Sequence, residues 1–159
     1  MSTWFDSLND DIATTLLRVR VELPEGGTVD KDIRPDVVID YDMLEEQLEE
    51  TPSAYVFWSM VLAESKKNVA TLERIVKRRK GDVTRELLGD AREKGVSLRR
   101  ADVDDLIEAD EKLNELEGRL ILANRTLSKL FAVVEAMRMK SDHLRSLAGF
   151  KRQEQRDSK

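Results

Sequence analysis

The chain has 159 residues, of which 37% are charged and 5% aromatic, with no cysteine. This excludes disulfides, thiolate nucleophiles and thiolate metal sites, and favours long helices with narrow apolar seams over a thick core. The net charge of −5 conceals a division: residues 1–50 carry 4 basic and 14 acidic side chains, and residues 51–100 carry 12 and 6.

Residues 101–118 are acidic again, and from Arg119 onward 10 basic side chains face 4 acidic ones. Two positive blocks on either side of an acidic hinge point to an anionic partner for part of the surface. No apolar run approaches the roughly 20 residues of a membrane span. Met1-Ser-Thr-Trp-Phe-Asp6 lacks the basic and apolar regions of a signal peptide, so the expectation is a soluble cytoplasmic protein with no membrane partner.

Three regions follow in chain order: an N-terminal arm over 1–38, a helical domain over 39–148, and a basic, flexible tail over 149–159. In the arm, Trp4, Phe5, Leu8 and Ile12 have helical spacing, whereas Leu17, Val19 and Val21 alternate with Arg18 and Arg20 as in a strand. Pro24–Thr28 is a turn, so the arm reads as a small hairpin or a flexible segment. Val37-Val38-Ile39 is a short extended lead-in. Asp40 reads as the N-cap of an acidic helix over 41–50, with Met43, Leu44 and Leu48 inward.

Thr51-Pro52 then signals the start of a long helix, a capping side chain followed by proline at the first helical position. It runs to Lys94, with Gly81 and Gly89 each weakening it by about 1 kcal/mol. Gly95 ends it in the left-handed conformation, and Ser97 caps a short helical elbow over 98–109. The last helix, to Leu147, carries heptads. Leu106, Leu113, Leu120, Leu127 and Val134 take one seam position; Ala109, Leu116, Ala123, Leu130, Met137 and Leu144 take the other. Ile107, Ile121, Leu122, Phe131 and Val133 fall outside this seam, a surplus expected to bury against another subunit or the arm. Gly149 and Lys151–Lys159 read as a fraying tail. The expected fold is therefore all-α: an antiparallel, coiled-coil-like hairpin of long helices with a helical elbow and a small N-terminal arm, forming a homo-oligomer.

The first long helix has two opposed faces. Lys67, Arg74, Arg78, Arg85 and Arg92 recur at steps of seven, four, seven and seven. At about 100° per residue they lie within roughly 40° of one another, along on the order of 37 Å of helix. Trp58, Leu62, Val69, Val76, Val83 and Leu87 lie opposite. The run Lys77-Arg78-Arg79-Lys80 thickens the cationic strip midway. Such a strip could follow several phosphates with little regard to sequence.

An active site is hard to assemble from these residues. His143 is the single histidine, and with no cysteine or second histidine it has no partner for metal binding or nucleophile activation. Asp102, Asp104, Asp105 and Glu108 lack the central glycine and alternating spacing of a calcium loop, and suit the positive end of a helix dipole. Gly26-Gly27 lacks the lysine of a phosphate loop. The chain reads as non-enzymatic, without metal or cofactor.

From Val38-Ile39-Asp40 to Glu154 the order of features resembles the UvsY-type recombination mediators of tailed phages. The resembling features are Tyr55-x-x-Trp58 at the helix start, the basic patch Lys77–Lys80, Ala109-Asp110 before a leucine-rich heptad helix, and Leu147 followed by Arg152-x-Glu154. Residues 1–35 have no counterpart, and the elbow around Gly95–Arg100 differs in length. The resemblance implies a phage-encoded, ring-forming homo-oligomer that binds single-stranded DNA. It would help load a RecA-like recombinase onto strands covered by single-strand-binding protein. Its DNA-contacting patch would fall on Lys77, Arg78, Arg79 and Lys80. Two other readings compete: a coiled-coil scaffold or adaptor whose charges only specify helix pairing, and an inhibitor whose acidic residues 30–50 mimic nucleic acid.

Overall fold

The computed structural model describes residues 17–22 and 26–157; the helically spaced Trp4, Phe5, Leu8 and Ile12 lie outside them. The alternation beginning at Leu17 becomes strand β1 (Arg18–Glu22), paired antiparallel with β2 (Thr28–Asp32) in a register that sets Arg18 opposite Asp32 and Glu22 opposite Thr28. Gly26 (φ 83°) and Gly27 (φ 137°) lead into β2 with positive φ, a conformation glycine takes at no steric cost. Helix α1 (Arg34–Val37) is a single turn with proline in its first positions. Two long helices, α2 (Leu44–Glu93) and α4 (Glu111–Asp157), flank the short α3 (Arg100–Glu108). The chain is thus mostly helical, with α2 packed against α4, consistent with the expected helical hairpin. Among the described residues no helix is long and apolar enough to cross a membrane.

The chain divides into two compact units. The first comprises residues 1–65 and 126–159. Its core joins Val19 and Val21 of β1, Trp58, Val61 and Leu62 of α2, and Leu130, Val133 and Met137 of α4. Trp58 is fully buried, and its indole N–H donates to Asp36 at 2.8 Å, so the polar edge of the ring is satisfied. Phe57 meets Trp58 edge-on at 5.3 Å between centroids, and the Lys31 ammonium lies 5.4 Å and 5.6 Å from the two ring centres. Several acids of the 30–50 block are occupied here: Asp30 by Arg18, Asp32 by Arg34, Asp36 by Lys31 and Glu45 by Lys151.

The second unit, residues 66–125, is built on Val83 of α2, Ile107 of α3 and Leu113 of α4, with Val76, Leu87 and Val103 packed around them. Gly95 (φ 64°) closes α2, where the Val96 N–H reaches the Ala91 carbonyl at 2.9 Å and the Gly95 N–H reaches that of Arg92 at 3.2 Å. This is the left-handed glycine stop expected at that position.

Several expectations need correction. Thr51-Pro52 does not start a helix: α2 begins at Leu44 and carries Pro52 inside it. Burial of Leu44, Thr51 and Trp58 along one stretch outweighs the lost backbone bond. Asp40 caps a turn rather than a helix, its carboxylate accepting from the Asp42 N–H at 2.9 Å; Met43, expected inward, is exposed. Ser97 does not cap α3; Asp102 instead accepts the Arg99 backbone N–H at 3.2 Å. The heptad seam does not run through the elbow. The chain breaks at Ala109-Asp110, which resets the helical phase, so Leu106 is 44% exposed while Ile107 is buried. Val133, by contrast, meets its expectation: outside the seam, it is buried in one core with Val19 and Val21 of the arm. Gly149 does not end α4, which continues to Asp157 through residues that are mostly good helix formers.

Candidate nucleic-acid interface

Within the second unit, α2 turns Val69, Leu72, Val83 and Ala91 into the interior, with Val76 and Leu87 half-buried beside them. This seam dictates what faces water on the other side. Lys67, Arg74, Arg78, Arg85 and Arg92 are all exposed, on the face opposite the seam. Among the described residues, Arg74 and Arg78 have no carboxylate within ion-pair distance. Arg85 is bound by Asp82 one turn back, at 2.6 Å, yet its side chain remains 79% exposed. An exposed pair of this kind contributes a few tenths of a kcal/mol and leaves the outer guanidinium donors to water or an anion. Arg92 stands in the last turn of α2, where the helix dipole also favours a cation.

The run Lys77–Lys80 does not act as a block. Steps of about 100° distribute its four side chains around the helix, and only Arg78 shares the strip. Lys77 and Lys80 are exposed on one flank, roughly 80° and 140° from the strip's centre line. Arg79 departs from the expectation. Its guanidinium is 25% exposed and binds the Asp110 carboxylate through Nε at 3.1 Å and Nη2 at 2.6 Å, with Glu86 3.6 Å away. Asp110 also accepts the Leu113 N–H at 2.7 Å, so one carboxylate caps α4 and anchors α2 beside it. The Arg79 guanidinium holds Asp110 below the usual carboxylate range, the backbone bond from Leu113 adding to it. Arg79 therefore serves the joint between α3 and α4 rather than the cationic face.

Two residues of the strip were not singled out from sequence for this role. Gly81 and Gly89 fall within roughly 40° of its centre line, and among the described residues a Cβ at either would meet nothing within 4 Å. They leave bare backbone between Arg78, Arg85 and Arg92. Their helical spacing with the arginines was the available signal. The aromatics near the start of α2 are not arranged with the strip: Trp58 is buried, and Phe57 is packed against it. His143 is exposed on α4. No family model, curated protein or solved structure matches the chain.

Proposed function

We propose that this chain is a non-enzymatic recombination mediator. Several copies hold single-stranded DNA along the α2 strip and help a RecA-like recombinase assemble on strands covered by single-strand-binding protein. The observation that carries the reading is the strip: five exposed cations over about 37 Å, with Arg74 and Arg78 free of carboxylates among the described residues. Phosphates attract such a row whatever the bases, and counterion release makes the attraction salt-dependent. A single narrow row suits one strand, and bare backbone at Gly81 and Gly89 allows close approach. The charge pattern argues only for the polyanion. The mediator role rests on the resemblance carried by Tyr55-x-x-Trp58, the Lys77–Lys80 patch and the heptad helix.

Fluorescence anisotropy of labelled single-stranded and duplex oligonucleotides across a salt series tests this. Binding should favour the single strand, and log affinity should fall against log salt with a slope of about −3.5 for five phosphates. Replacing both Arg74 and Arg78 with Ala should bring that slope to about −2 with unchanged helicity. Arg79 is kept, because its loss would disturb the Asp110 joint. No binding at low salt, or a double variant that binds like the wild type, removes the proposal. The competing reading, a coiled-coil scaffold without DNA binding, draws on the exposed Ile121 and Leu122 and on the Arg85–Asp82 pair; it expects no binding at any salt.

A further inference from the structure

Helix α4 has a second organised face within the second unit. Leu113 is buried, and Leu116, Leu120 and Ala123 are half-buried, which defines the inward side. On the opposite side Glu111, Glu115, Gly118, Leu122 and Arg125 recur at steps of four, three, four and three, all exposed and within a sector of roughly 80°. That spacing is the alternation of a coiled-coil seam, yet among the described residues the face is left exposed. Leu122 is 61% exposed, and Ile121 beside it is 55% exposed.

Gly118 makes the face more specific. A glycine inside a helix is less favourable than alanine there. Among the described residues a Cβ here would meet nothing within 4 Å, so no contact among them accounts for the missing side chain. Close approach of another helix would account for it. The charges are also segregated by direction. Glu111 and Glu115, one turn apart, repel each other along the helix, and the basic Arg125 stands at the other end. Neither Glu115 nor Arg125 has an ion-pair partner among the described residues.

This order is self-complementary in one orientation. A second α4 laid antiparallel, with a two-fold axis at residue 120, sets Leu122 of each copy on Gly118 of the other and Glu115 of each opposite Arg125 of the other. The 4-3 spacing brings these positions into shared layers, as antiparallel coiled coils require. A parallel pairing would instead oppose Glu115 to Glu115 and Arg125 to Arg125. We propose that the Glu111–Arg125 face of α4 is a two-fold contact with a second copy of this chain, closed by Leu122 on Gly118 and by two Glu115–Arg125 pairs. Such a contact is isologous and closes on itself, so a ring would need a further surface. The inference does not rest on DNA binding, and its test contains no DNA.

The test is the mass of the full chain in solution, by sedimentation or light scattering over a concentration series. The wild type should exceed monomer mass. Glu115→Arg and Arg125→Glu each replace two attractive pairs with repulsive ones, and each should raise the dissociation constant about tenfold. The combined E115R/R125E variant recreates the pairs in reverse and should recover the wild-type value. Gly118→Leu should weaken association while leaving or raising helicity, which a role inside the monomer would not produce. A wild type that stays monomeric, single reversals without effect, or a double variant no better than the singles would each overturn the proposal.

Discussion

Lys140 lies on the packed side of α4 in the first unit and is only 5% exposed. Burial pushes its ammonium below the usual lysine value of 10.5, while Asp36 and Glu50 pull the other way without cancelling the effect. The folded chain therefore gives up this proton more readily than the unfolded chain. Between the lowered folded value and 10.5 the unfolded state binds more protons, so this group makes stability rise with pH across that window. At neutral pH the charge is retained at a cost. Lys140→Met, of similar length and without the charge, should raise the urea midpoint at pH 7 and remove this part of the alkaline rise. A Met variant less stable than the wild type would mean that Asp36 and Glu50 more than offset the burial.

Pro52 is the corresponding feature at the element scale. It removes one backbone bond within α2 and crowds the carbonyl of Leu48, at a cost near 3 kcal/mol in an ideal helix. Proline also restricts the unfolded chain, which returns up to about 1 kcal/mol. Pro52→Ala should thus stabilise the protein by roughly 2 kcal/mol, read as a shift in denaturant midpoint at constant slope. No gain would show that the backbone around Pro52 already departs from helical geometry. The break between α3 and α4 has a different cause. There Asp110 satisfies the Leu113 N–H and holds Arg79, so the chain leaves one helix and enters the next with its end group paired.

At the scale of the whole molecule, the net charge of −5 says little about where an anion would bind. Asp30, Asp32 and Asp36 already face Arg18, Arg34 and Lys31, and the strip from Lys67 to Arg92 keeps its own field at the short range that salt permits. If copies pair through α4, folding and association are linked by mass action. The thermal midpoint should then rise by about 2 °C for each tenfold increase in protein concentration. In Glu115→Arg this dependence should shrink or disappear. Calorimetry at two concentrations checks it, and identical midpoints for the wild type would argue against a contact that stabilises the fold.

The amino-acid order alone determined the helical seams, the cationic face opposite one of them, the strand alternation of Val19 and Val21, and the glycine stop at position 95. Each follows from a repeat of 3.6 or 2 residues or from one residue's backbone freedom, and all of these act within a few positions. Tertiary structure decided what depends on distant partners. It carried α2 through Pro52, extended α4 past Gly149, restarted the helix at Asp110 and bound Arg79 to a carboxylate 31 residues away. Local spacing cannot register these outcomes. A proline is tolerated, or a charge withdrawn from solvent, only when burial or pairing elsewhere in the chain compensates.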